Sequence, residues 1–252
     1  MIIYGINPVA EALRAGRVRE IRVADRGDER MQRVLDDAAA KGVRVRRVTR
    51  DVLDAESRHG AHQGLVADVE RMPDATLDDL AAPGADGEPP LIVVLDEVED
   101  PQNVGAILRT VDAAGASGVI RQTRRAAPLD GAAGKASAGA VHHVKVVSVV
   151  NIARALDDLK KAGVWTVGLD AAAGMRYHEW DLTLPTALVV GAEGHGLRRL
   201  VRERCDQVVS IPMRGHVGSL NVSAAAAIVL FEAVRQRSRG RPLAAGTPEE
   251  VG

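Results

Sequence analysis

The sequence predicts an α/β protein, with a mostly parallel β-sheet covered by helices on both sides and a smaller α/β domain in front of it. Three observations lead there. From Leu91 onward, short apolar runs alternate with helical patterns, as in successive βαβ units. The first of these runs, LIVVL at 91–95, is apolar at every position, as a strand buried on both faces must be. Between the two halves, residues 71–90 are dominated by Pro, Gly, Asp and Ala without apolar periodicity, which reads as a flexible linker.

Bulk properties narrow the function. Apolar residues fill 46% of the 252 positions but aromatic residues only 2%, so the core must be aliphatic. A net charge of −1 excludes a globally basic nucleic-acid binder, and any such site must be a local patch. The single cysteine, Cys205, excludes an internal disulfide, fits a reducing compartment, and sits in a charged run unsuited to a nucleophile. The first residues lack a basic, then apolar, leader, and no run approaches the ~20 apolar residues of a membrane span. The expectation is a soluble, cytoplasmic protein.

In residues 1–70, Pro8 suits the first turn of a helix over 9–15. Residues 19–24 and 43–48 alternate like strands, and 29–41 carries Met31, Val34, Leu35 and Ala38 at helical spacing before Gly42. A short helix at 51–56, a loop with His59, His62 and Gln63, and a strand at 65–69 complete a small α/β sandwich. In the second half, strands are expected at 91–95, 118–120, 144–149, 164–169, 187–190 and 208–211. Helices are expected at 103–114, 152–162, 197–203 and 222–234, with a partly helical 126–140 and a disordered tail at 239–252.

Three stretches can carry chemistry. Gly191-Ala192-Glu193-Gly194-His195-Gly196 follows a short apolar run. Its glycines fall too late in the domain for a dinucleotide fingerprint, and Glu193 stands where a pyrophosphate would approach, but backbone this bare can come close to a ligand. Asn103 opens a helix directly after a buried strand, where it can cap the helix or face a cleft, with Arg109 about 1.7 turns further on. On spacing alone the pair reads first as a helix cap and a solvated arginine. Ser219 and Asn221 open the last helix, placed either to meet a ligand or to cap free N–H groups. That helix is apolar on nearly every side, so it is buried, as a core helix or in a symmetric dimer interface. The histidines lack the Cys or clustered carboxylates of a metal centre, and no metal is expected.

Taken together, these stretches resemble the SpoU (SPOUT-class) RNA ribose 2′-O-methyltransferases. The first motif is Asp96-x-Val98-x-Asp100-Pro101-x-Asn103-x-Gly105-Ala106-x-x-Arg109-Thr110; the second is Gly191-Ala192-Glu193-Gly194-x-Gly196-Leu197. The third is Ile211-Pro212-Met213 followed by Ser219-Leu220-Asn221-Val222-Ser223, and 135–140 (KASAGA) also matches. Tyr4-Gly5-x-Asn7-Pro8-Val9 and His62-Gln63-Gly64 resemble the family's N-terminal RNA-binding domain. The resemblance implies a C-terminal deep trefoil knot, a homodimer through the knotted domain, and S-adenosyl-L-methionine (AdoMet) as cofactor, held by Gly191, Ile211, Met213 and Leu220. It implies a catalytic set of Asn103, Arg109, Glu193, Ser219 and Asn221. Arg109 is then general base or, since a guanidinium hardly deprotonates, a phosphate clamp. RNA contacts are expected from Asn7, His62, Gln63, Arg121, Arg124 and Arg214, with Arg125 and His216 nearby. The implied substrate is a guanosine ribose in the peptidyl-transferase region of large-subunit rRNA. The alternatives are a tRNA ribose 2′-O-methyltransferase or a non-catalytic RNA-binding or ribosome-assembly protein.

Overall fold

A computed structural model describes residues 1–24, 28–70, 75–84, 87–124, 126–129 and 132–238. The first half contains β1 (Ile2–Tyr4), α1 (Ile6–Arg14), β2 (Val18–Val23), α2 (Glu29–Ala40), β3 (Arg44–Arg47), α3 (Arg50–Glu56) and β4 (Leu65–Val69). Its sheet runs β1-β4-β2-β3, with β2 and β3 parallel and the other pairs antiparallel. The helical spacing that predicts α1 and α2 turns Val9, Ala12 and Leu13, and Met31, Val34 and Ala38, onto Ile3, Ile21, Val23 and Leu65. Strand β1, at three residues, is too short to announce itself by alternation. All of β3 is exposed because it is the sheet edge, where charged residues discourage pairing with another chain.

The expected linker is partly structured, which corrects the reading of 71–90 as flexible. Helix α4 (Leu77–Ala81) begins with a capping box between Thr76 and Asp79. Its Leu80 is fully buried among Ile92, Val94, Ile120 and Leu156 of the second half. Leu77, Leu80 and Ala81 do stand at helical spacing, but five residues are under two turns, and the Pro-, Gly- and Asp-rich surroundings hid it. Residues 71–74, 85–86 and the expected tail at 239–252 lie outside the described residues.

The second half continues with β5 (Leu91–Asp96), α5 (Pro101–Ala113), β6 (Gly118–Gln122), α6 (Ala132–Ala136), β7 (Val146–Val149), α7 (Ile152–Lys161) and β8 (Trp165–Leu169). Then follow β9 (Met175–Arg176), β10 (Thr186–Gly191), α8 (Arg199–Arg204), β11 (Gln207–Ser210) and α9 (Val222–Arg237). These strands form one sheet in the order β7-β6-β5-β10-β8-β11-β9, parallel at every pairing. Alternate residues of β5 serve opposite cores: Leu91, Val93 and Leu95 pack towards α5 and α9, Ile92 and Val94 towards α4 and α7. Each fully buried aliphatic side chain here contributes about 1.5–3 kcal/mol.

In helix α9, Val222, Ala226, Val229, Leu230 and Ala233 line the buried face, while Phe231 is 48% exposed and Ala224 also faces out. Within one chain the helix therefore buries one side only. The two halves meet where Arg17, just after α1, donates to the His142 carbonyl at 2.7 Å. Beside it, Gly139 (φ +96°) leaves room for Glu11, whose Cγ would lie 2.3 Å from any Cβ at that position. Among the described residues no helix is long and apolar enough to cross a membrane.

Candidate functional site

The carboxyl ends of β5, β10 and β8 lie side by side, and the loops leaving them build the site. Strand β10 ends at Gly191, in register with Asp96 of β5. The chain then doubles back, Gly196 N donating to Ala192 O at 2.9 Å. The fold-back is so tight that a Cβ on Gly191 would sit 2.1 Å from the Gly196 carbonyl carbon, so only glycine fits. Gly194 (φ +84°) and Gly196 (φ +65°) supply the left-handed turns, and Leu197 drops into the core behind.

The second loop runs from the end of β11 to α9. Asn221 caps α9, its Oδ1 accepting from Ser223 N at 2.9 Å and Ala224 N at 3.3 Å. That fixes the amide's orientation and turns Nδ2 away from the helix. Nδ2 donates to Asn103 Oδ1 at 2.8 Å and to Glu193 Oε1 at 2.6 Å. One side chain thus does both things its position allowed, capping a helix and entering the site. Asn103 does not cap α5: Asp100 accepts from Gln102 N at 3.1 Å and Asn103 N at 3.4 Å. This leaves Asn103, which is buried, facing Asn221.

Between the loops lies a cavity of about 630 Å³. Gly191, Glu193, Ile211, Met213, Ser219, Leu220 and Asn221 all line it, and Asn103 reaches its edge only through Asn221. Its walls mix bare glycine backbone, aliphatic side chains and a few polar groups, a lining suited to one mid-sized ligand with apolar and charged parts. Leu169 and Asp170, at the end of β8, also line it and were not anticipated. Their place beside β10 at the carboxyl end of a parallel sheet is the signal that could have found them.

Other expected residues fall elsewhere. Arg109 does not line the cavity. Six residues beyond Asn103, it projects about 120° round the helix, is exposed, and makes no hydrogen bond or ion pair among the described residues. Asn7 is exposed at the start of α1, and Gln63 reaches the same place, its Oε1 accepting from Ile6 N at 3.1 Å. His62 is corrected: its ring is buried, Nδ1 accepts from Gly64 N at 3.0 Å and Nε2 meets Asp54 Oδ1 at 2.9 Å. It braces the loop and has no nitrogen left for RNA. Arg121 is corrected likewise, since its guanidinium donates inward to Ala127 O and burial lowers its pKa. Arg124, Arg214 and His216 are exposed, and Arg125 lies outside the described residues. Burial pushes the Cys205 thiol up to about 12, which keeps it protonated. No group of metal-binding side chains gathers among the described residues.

A parallel α/β sheet with a glycine-walled cavity at its strand ends defines a small-molecule-binding enzyme fold, and comparison with known proteins identifies which. Residues 90–231 match the model of the SpoU rRNA methylase family, and residues 2–75 match the RNA 2′-O ribose methyltransferase substrate-binding model. The chain belongs to the SpoU family of RNA 2′-O-ribose methyltransferases. It is 44% identical over 245 residues to the 23S rRNA (guanosine-2′-O-)-methyltransferase RlmB of Pseudomonas syringae pv. tomato, covering 95% of this chain and 97% of that one. It is 41% identical to the putative TrmH family tRNA/rRNA methyltransferase YacO of Bacillus subtilis, covering 94% and 96%. The crystal structure of the SpoU methyltransferase AviRb from Streptomyces viridochromogenes in complex with AdoMet superposes with a TM-score of 0.79 at 30% identity, covering 95% of this chain and 91% of that one.

Proposed function

We propose that this protein methylates the ribose 2′-hydroxyl of a guanosine in large-subunit rRNA, using AdoMet bound in the cavity between the two loops. The observation that carries the reading is the Asn221 side chain, which ties Asn103 and Glu193 together at the cavity's edge. The lining fits AdoMet chemically. Gly191, Ile211, Met213 and Leu220 offer backbone and aliphatic surface for an adenosine, while Glu193 and Asp170 place acidic groups near a cationic ligand. When bound, AdoMet would supply a methyl group on a sulfonium sulfur: the S–CH3 bond breaks to leave a neutral thioether, an O–CH3 bond forms at the ribose, and the 2′-OH proton passes to solvent.

The protein's part is largely to position and to exclude water. Asn221, Asn103 and Glu193 form a rigid rim, and the exposed Ser219 hydroxyl is free to meet the ribose. Arg109, outside the cavity and exposed, serves as a phosphate clamp rather than a base, because a guanidinium holds its proton and grips phosphate with paired N–H groups. Residues 1–70 form the RNA-capturing domain, with Asn7 and Gln63 on its contact edge, and residues 91–238 the catalytic one. Arg124 and Arg214 extend the RNA surface. The C-terminal segment, from the loop after β11 into α9, forms the trefoil knot around the cofactor. Exposed Phe231 and Val217 then meet a second copy in a homodimer, and the protein acts in the cytoplasm.

Transfer of a labelled methyl group from AdoMet to unmodified 23S rRNA and to unmodified tRNA tests the reading. Label in the rRNA alone supports it. Label in tRNA alone favours the tRNA alternative, and AdoMet binding with no transfer to either favours a non-catalytic RNA-binding protein.

A further inference from the structure

Behind the cavity, a charged pair joins the two ends of the glycine loop. Asp96, at the end of β5, is fully buried. Its Oδ1 accepts from Arg198 Nε at 2.7 Å and lies 2.6 Å from a terminal guanidinium nitrogen of the same residue. Its Oδ2 accepts from the Arg198 backbone N at 2.9 Å. The second terminal nitrogen of Arg198 lies 3.5 Å from Glu97, whose left-handed backbone (φ +58°) turns the chain at that point. Meanwhile the Asp96 backbone is in register with Gly191, where the loop begins.

We propose that Asp96 and Arg198 are positioning residues that set the shape of loop 191–197. One residue, Asp96, holds the loop's entry through the sheet and its exit through Arg198, whose guanidinium fork meets Oδ1 and whose backbone N–H meets Oδ2. Within the loop, glycines at 194 and 196 adopt left-handed conformations, and the bonds that hold it are Gly196 N to Ala192 O and Asn221 to Glu193, so both depend on where the ends are pinned. A carboxylate with no exposure demands its partner, because an unpaired charge there would lie buried and uncompensated. A lysine could supply the charge but not the fork. The inference rests on reading the cavity as the AdoMet site, since it makes the pair responsible for the cofactor wall and for the placement of Glu193.

The test compares the full-length protein with Arg198→Gln, Arg198→Lys and Asp96→Asn, measuring AdoMet affinity by calorimetry and backbone amide exchange by mass spectrometry. Folded Arg198→Gln should bind AdoMet at least tenfold more weakly, with faster exchange confined to residues 191–198. Arg198→Lys should fall between it and the unaltered protein. AdoMet affinity within twofold of the unaltered protein in the folded variants would overturn the proposal, as would faster exchange spread evenly over the whole sheet. If Arg198→Gln does not fold, Arg198→Lys and Asp96→Asn carry the same two readouts. Failure of the unaltered protein to bind AdoMet would sink the cofactor reading instead, and the exchange pattern would still judge the pair.

Discussion

Asn221 Nδ2 lies 2.8 Å from Asn103 Oδ1, joining the start of α9 to the start of α5 across 118 residues. The same nitrogen lies 2.6 Å from Glu193 Oε1, so three separate sequence motifs converge on one amide. Its oxygen is committed to capping α9, and the amide cannot flip without losing both sets of bonds.

Asn221 therefore separates two effects. Asn221→Asp keeps an oxygen for the Ser223 and Ala224 amides but sets its second oxygen against those of Asn103 and Glu193. It should retain the cap while lowering turnover by roughly a hundredfold, the scale of a lost positioning contact. Asn221→Ala should lose turnover and about 1 kcal/mol of stability as well. Thermal melts and single-turnover methylation on the two variants check this.

Arg109→Lys tests the clamp against the base. A clamp predicts a rate lowered by about 10–100-fold at every pH with the profile unshifted, because a single ammonium cannot grip phosphate bidentately. A profile moved to lower pH, following the lysine, would favour the base.

Arg237 closes the fold at the far end of α9. Its guanidinium donates to the carbonyls of Pro89 at 2.6 Å, Leu182 at 2.9 Å, Leu184 at 3.0 Å and Pro90 at 3.2 Å. Arg237→Ala strands these acceptors and should cost about 3 kcal/mol or more in urea unfolding, given about 1.5–3 kcal/mol for a hydrogen bond to a charged group. Arg237→Lys should recover only part of that.

His142 makes stability depend on pH. Burial, with Arg17 and His143 nearby, lowers its pKa to about 4. The folded state thus disfavours the charged imidazole, and the unfolded chain binds more protons between about pH 4 and the unfolded value near 6.5. Its contribution is present above that value and is lost as pH falls towards 4. The urea midpoint should fall across this window, and His142→Leu should flatten the slope.

Much of this was legible in the sequence, for physical reasons. The LIVVL run gave a strand buried on both faces because every position must be apolar there, and β5 lies mid-sheet. The glycine loop was legible because Gly191 is sterically obligatory and Gly194 and Gly196 adopt left-handed backbone. Helix α4 was not, because Leu77, Leu80 and Ala81 span less than two turns inside a Pro-, Gly- and Asp-rich stretch. Nor could spacing say that His62 and Arg121 turn inward, since a polar side chain's direction depends on partners such as Asp54 and Ala127 that only the fold brings near. The Asp96–Arg198 pair spans 102 residues and left no local trace.

The central claim is the site of methylation. The most direct measurement incubates the protein with labelled AdoMet and unmodified 23S rRNA, digests the RNA to nucleosides and identifies the labelled product by mass spectrometry. Label should appear in 2′-O-methylguanosine, at a rate lowered roughly a hundredfold by Asn221→Asp. Label on a nucleobase, or no label while AdoMet binds, would contradict that claim.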